Sequence, residues 1–334
     1  MNSKNRKIFM SKYKKKVETE YAHLIEENFR ENVVRETIDK NNFKFKGAFS
    51  SEYLGYLKMI GGSISGKTGN FYERRLQTVF DIIKEMGLTC KAELCTEEIL
   101  KKLDLKYSKS VKNSKITNIH FTLPKETKEQ LLVMSRELYD EDNVRRLFTS
   151  RLQEIFESLE TNFEKNEVSF KRDVDHCISL KNGKIFLIES KTSERNQDFN
   201  AFGDVNKTLE TWAGLTYALL KKYRKDNQSV PKPTWNYISI LYLMNEKDNK
   251  SVKKDINYFP SFYINNLNKG GTISAVEFYK YFLDVELEDI LVVEQFCAGF
   301  LNNFVKESLD FVYSNFCKEK ETLHKEYEEY ILSI

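Results

Sequence analysis

The sequence predicts an α/β (α+β) protein built on a mixed central β-sheet flanked by helices, with large helical additions at its N- and C-terminal ends. Three observations carry that expectation. Residues 170–191, F-K-R-D-V-D-H-C-I-S-L-K-N-G-K-I-F-L-I-E-S-K, hold two runs rich in branched and aromatic residues around Asn182-Gly183, the local pattern of an antiparallel hairpin. A further apolar run, T-W-N-Y-I-S-I-L-Y-L-M at 234–244, is the strongest strand after the hairpin and a sheet neighbour for 184–191. Around these lie long stretches with apolar residues at spacings of three and four.

In chain order, residues 11–39 carry Val17, Tyr21, Leu24, Ile25, Phe29, Val33 and Val34 as a helical stripe, its start crowded by Lys12, Lys14, Lys15 and Lys16. A loop at 41–51 and a short helix at 52–60 lead into Gly61-Gly62-Ser63-Ile64-Ser65-Gly66-Lys67-Thr68-Gly69. Residues 70–86 then read as an amphipathic helix stopped by Gly87. A short helix at 96–103 and a strand at 116–123 follow, and Pro124 opens a long helical region to about residue 164. Its Arg145, Arg146 and Arg151 lie on a polar face, available to phosphate or to Glu137, Glu141 and Glu154. After the hairpin, 192–203 is loop-like, and 204–223 is a helix with Leu209, Trp212, Leu215, Leu219 and Leu220 to set against the sheet. Residues 270–274 cap the helix E-F-Y-K-Y-F-L, and 283–332 is helical.

Length and charge narrow the classes little. A chain of 334 residues accommodates one large domain or a core with additions. Lys+Arg 53 against Asp+Glu 50 gives net +3, so a nucleic-acid binder of this composition must concentrate its positive charge locally. Five cysteines without paired ligand spacing read as reduced thiols. A basic start without an apolar core is not a secretory signal, and no run approaches the ~18 apolar residues of a membrane span. A cytoplasmic, bacterial protein is the expectation.

The chemistry gathers at the hairpin. Glu189 and Lys191, two apart at the end of a strand apolar throughout, share one side of the sheet. With a three-residue loop at 181–183 and Gly183 left-handed, Asp175 faces Glu189 and Asp173 faces Lys191; a two-residue loop would turn the acids apart. Carboxylates that close need a cation between them, and hard oxygen ligands suit Mg²⁺. The physical reading is a divalent-metal site with an ammonium beside it.

Asp175, followed after a hairpin by Glu189-Ser190-Lys191, resembles the D…(D/E)-x-K signature of the PD-(D/E)xK nucleases, the fold of most type II restriction endonucleases. Val174 stands where a proline often precedes the first acid. The resemblance implies a restriction-endonuclease-like catalytic core at 166–282, a mainly helical region at 1–165 that lends one helix to the site, and a C-terminal helical region at 283–334, or all three as one domain. It implies Mg²⁺-dependent, site-specific hydrolysis of double-stranded DNA. Asp175, Glu189 and the Ser190 backbone carbonyl would hold the metal, with Asp173 the alternative first acid, and Lys191 would orient the attacking water and offset charge growing on phosphorus. His176 falls on the other face and reads as structural. The entry S-I-S-G-K-T-G-N-F-Y-E resembles the turn and helix that carry an early glutamate in many restriction endonucleases, making Glu73 a metal-shell residue; the helix dipole gives it a second, compatible role. E-S-K-T followed by K-T-L-E-T-W-A-G faintly resembles the GGNCC-cutting group. A homodimer and a cognate DNA methyltransferase sharing the target site come with the family.

Two other classes compete. Gly61–Thr68 matches the P-loop pattern G-x-x-x-x-G-K-T, but Tyr53, Leu54, Leu57 and Ile60 before it sit at helical spacing where a nucleotide hydrolase needs a buried strand. A non-catalytic helical interaction protein is the other.

Overall fold

A computed structural model describes residues 2–23, 74–109, 116–140, 144–191, 201–226, 232–244 and 271–283, with isolated positions 299, 303, 306, 325, 329 and 332. The chain divides into two compact units, one from Arg75 to Leu287 and one made of Asn2–Arg74 with Glu288–Ile334. The expected helix at 52–60, the glycine-rich segment 61–69, Glu73, residues 193–197 and most of 283–332 lie outside the described residues.

In the second unit, α1 (Ser3–His23) starts eight residues before the position expected from its apolar stripe. The Asn2 side chain accepts the Asn5 backbone N–H at 2.8 Å and caps it. Phe9, Tyr13 and Val17, four apart, are fully buried, and the first two rings stack at 6.1 Å.

The first unit opens with helix α2, described from 74 to 85. Gly87 ends it as the sequence predicts, at φ +62, with Leu88 N–H returning to the Ile83 carbonyl at 3.0 Å. There follow β1 (Ala92–Leu94), α3 (Thr96–Lys102), β2 (Ser108–Lys109), β3 (Ile116–Thr117), β4 (Ile119–Pro124), α4 (Lys125–Asp140) and α5 (Val144–Thr161). Then come β5 (Glu167–Arg172), β6 (His176–Leu180), β7 (Ile185–Lys191), α6 (Ala201–Lys225), β8 (Ile238–Met244), β9 (Gly271–Ser274) and α7 (Ala275–Leu283). The protein is therefore mixed α and β, as expected.

Its main sheet has the order β1-β6-β7-β8-β9, antiparallel through β7 and parallel beyond it. The strand expected at 234–244 is β8, seated beside β7. α6 is the crossover between them, and its Trp212 indole N–H donates to the Ile238 carbonyl at 2.7 Å. Buried almost all round, α6 also packs on α4, α5 and β4, where the Phe121 ring presses on Gly214. On the sheet's other face Phe186 meets Phe282 of α7 edge-on at 5.7 Å. Three strands depart from the sequence reading. β1 comes from a stretch read as mixed, β9 from one read as a helix cap, and the run from Phe170 is two strands: β5 pairs with β4 in a separate sheet, and β6 alone joins β7.

Candidate active site

The hairpin loop decides which charges meet. Gly183 takes φ +84, its N–H returns to the Leu180 carbonyl at 2.8 Å, and Leu180 N–H donates to Lys184. The Asn182 side chain accepts the Lys184 N–H at 3.1 Å. This three-residue loop sets His176 opposite Ile188 and Cys177 opposite Leu187. The ladder ends at His176 and Ile188, and Asp175, which the sequence sets opposite Glu189, lies one residue beyond it in a bend.

Asp175 closes that corner. It lies just before β6, half-buried, and its carboxylate accepts the Ser190 backbone N–H at 2.9 Å. Glu189, also half-buried, pairs in parallel with Tyr242 of β8, Ser190 with Leu243 and Lys191 with Met244. Strand alternation puts Glu189 on the face of β7 that carries Leu187 into the core, beside Tyr242 of β8. Ser190 has the opposite parity, and its hydroxyl is buried without a hydrogen-bond partner among the described residues.

Asp173 sits elsewhere. It is exposed in the link between β5 and β6, outside the ladder with β7, and its carboxylate accepts the Asn118 N–H at 2.8 Å. Asn118 has φ +52 and separates β3 from β4, so Asp173 steadies a strained joint. His176 is buried at 9% exposure, as a structural residue is expected to be. Glu73 and the P-loop-like segment fall outside the described residues; Arg75, two positions after Glu73, is buried with its guanidinium 5.9 Å from the Tyr279 ring centroid.

One feature near the corner escaped the sequence reading. Glu210, buried in the middle of α6, pairs with Arg172, the residue immediately before the link, and Lys128 approaches it at 4.0 Å. Arg172 and Lys128 both lie over the Phe170 ring, at 5.4 and 4.8 Å. The signal was present: between Lys207 and Lys221, Glu210 is the one charged residue. The arrangement ties the end of β5 to α6 and so fixes where the chain leaves one sheet for the other. A cavity of about 230 Å³ lined by Pro124, Lys125, Glu129, Asn162 and Asn166 lies at the far end of the β4–β5 ladder from Asp173.

Among the described residues no group of three or more His, Cys, Asp or Glu side chains is placed to hold a metal ion. Asp175 and Glu189 are half-buried carboxylates, donors of the hard oxygen kind that divalent cations take. No described helix is long and apolar enough to cross a membrane. No protein-family model, curated protein or solved structure matches the chain.

Proposed function

We propose that this chain is a Mg²⁺-dependent, site-specific endonuclease of double-stranded DNA, with a core of the restriction-endonuclease type. The observation that carries the reading is the bond from the Ser190 N–H to the Asp175 carboxylate, which brings this acid to the end of β7, where Glu189, Ser190 and Lys191 run parallel to β8. A solvated hairpin with scattered charges has no need of an acid tied to the Ser190 N–H next to a strand whose Ile185–Ile188 segment is entirely buried.

Asp175, Glu189 and the Ser190 carbonyl would hold Mg²⁺, Asp175 being favoured over Asp173 because it is half-buried and fastened to β7 beside Glu189, whereas Asp173 is exposed in the β5–β6 link. Bound there, Mg²⁺ would polarise a phosphate oxygen and lower the pKa of a water. Lys191 supplies a positive charge that offsets the charge growing on phosphorus and orients the attacking water. The Ser190 N–H holds the Asp175 carboxylate in place before substrate arrives. The enzyme would act in a bacterial cytoplasm as a homodimer on a two-fold target, beside a DNA methyltransferase protecting that target.

The test is digestion of phage and plasmid DNA by purified protein, with Mg²⁺ and with EDTA, beside folded Glu189→Ala and Lys191→Ala variants. Discrete fragments that need Mg²⁺ and disappear in both variants are expected. Intact DNA across substrates of varied sequence and methylation overturns the reading.

A further inference from the structure

The whole chain is nearly neutral, yet its first sixteen residues carry basic side chains and no acid. Residues 1–16 contain seven basic side chains, Lys4, Arg6, Lys7, Lys12, Lys14, Lys15 and Lys16, and the first acid is Glu18. Net charge over the chain is +3, so the remainder carries an excess of acid. Four of the seven share one exposed face of α1. Phe9, Tyr13 and Val17 are buried on one side, while Lys4, Lys7, Lys14 and Lys15, at spacings that return to one helix face, are exposed on the other. From Lys4 to Lys15 the row runs about 16 Å along the axis.

As a helix surface this is poorly arranged. No acid occupies the first turn of α1, where the macrodipole favours one, and cations lie there instead. Like charges three and four residues apart repel. Lys14 meets Glu18 one turn on at 3.7 Å with both side chains largely exposed, a weak pair. An arrangement that costs helix stability locally is relieved by a polyanion laid along it.

We infer that the exposed lysine face of α1 is a contact surface for the phosphate backbone of duplex DNA, gripping it without regard to sequence. The inference rests on the nuclease reading for its choice of polyanion. Duplex DNA presents one negative charge per about 1.7 Å of its axis, so a row of this length meets several phosphates, and each contact releases counterions. Such a surface supplies affinity and register along the duplex and carries no base readout.

The experiment is fluorescence anisotropy of the full-length protein with a mixed-sequence duplex of ~30 bp in EDTA, titrated at several salt concentrations between about 50 and 200 mM. Wild type is compared with Lys4→Gln/Lys7→Gln/Lys15→Gln and with a control triple that loses the same charge elsewhere, Lys102→Gln/Lys106→Gln/Lys225→Gln. Glutamine keeps helix propensity, and circular dichroism verifies the fold of each. The α1 triple is expected to lower the slope of log K against log[salt] by about 2–3 and the control to leave it unchanged. Equal slopes in the two triples, or no DNA binding by wild type, overturn the inference. So does loss of binding to phosphatidylserine vesicles in the α1 triple with DNA binding intact, which assigns the face to a membrane surface. Cleavage by wild type with an unchanged slope keeps the nuclease reading and removes this one; a changed slope in a protein that never cuts DNA does the reverse.

Discussion

The carboxylate of Asp175 accepts the backbone N–H of Ser190 at 2.9 Å, so the acid before β6 is fastened to the last turn of the pleat in β7. Charge and hydrogen-bond acceptance are separable at that position. Asp175→Asn keeps an acceptor for Ser190 and is expected to hold stability within about 1 kcal/mol of wild type, while Asp175→Ala orphans the N–H and costs about 1–3 kcal/mol. Both variants are expected to lose Mg²⁺-dependent cleavage. Urea denaturation and the DNA digest measure the two effects, and wild-type cleavage by the Asn variant would remove Asp175 from the site.

Glu210 is buried and Arg172 retains 27% of its side-chain surface, so breaking their pair leaves a cation with partial access to water. Glu210→Leu is expected to cost about 2–4 kcal/mol, at or below the usual cost of leaving half of a buried pair, and Arg172→Met added to it to recover part of that loss. Denaturation of the two single variants and the double yields the coupling directly.

At Gly214 the usual sign is expected to invert. Glycine to alanine within a helix ordinarily stabilises by up to about 1 kcal/mol. A Cβ there would stand 2.7 Å from Phe121 Cδ1 and 2.8 Å from its Cγ. Gly214→Ala is therefore expected to destabilise by about 1–3 kcal/mol. Phe121→Leu, milder alone, is expected to relieve the alanine when the two are combined.

Burial pushes the Cys95 thiol up from its ordinary value of 9.0 to about 11, against the pull of a hydrogen bond with Ser179. A thiol raised in the folded state contributes stability that is complete below about pH 9 and is lost as pH climbs to about 11. Wild type is thus expected to lose more unfolding free energy across that window than Cys95→Ala does, read by urea denaturation at stepped pH. Lys184, lowered by burial to about 8, acts with the opposite sign, adding stability upward from pH 8. Present in both proteins, it cancels in the comparison.

The sequence read best where structure is local. Asn182-Gly183 declared the loop, and Gly183 at φ +84 delivered the register that sets His176 opposite Ile188. The helix set against the sheet and the strand beside β7 were legible from apolar spacing, while the parallel direction of that strand was not. What stayed hidden depended on partners distant in the chain. Phe170–Leu180 is β-favouring almost throughout, and nothing in its letters says that the chain changes sheets at 173–175; that follows from β4 claiming β5. Ala92–Leu94 and Gly271–Ser274 are too short for periodicity to register, and only their neighbours β6 and β8 make strands of them. The Arg172–Glu210 pair joins residues 38 apart.

The placement of β1 bears on how the molecule assembles. β6 and β7 are joined by the four residues 181–184, and hairpins so closely connected form on the order of microseconds. β1 must reach β6 across the whole of α3, α4, α5 and two small sheets: the Thr96 hydroxyl that receives the Cys177 N–H at 2.8 Å is 81 residues away in the chain. Closing so long a loop delays contact more than it weakens it. The rim strand thus docks late onto a finished template, and in native-state hydrogen exchange the amides of Ala92–Leu94 are expected to open ahead of those in β7 and β8.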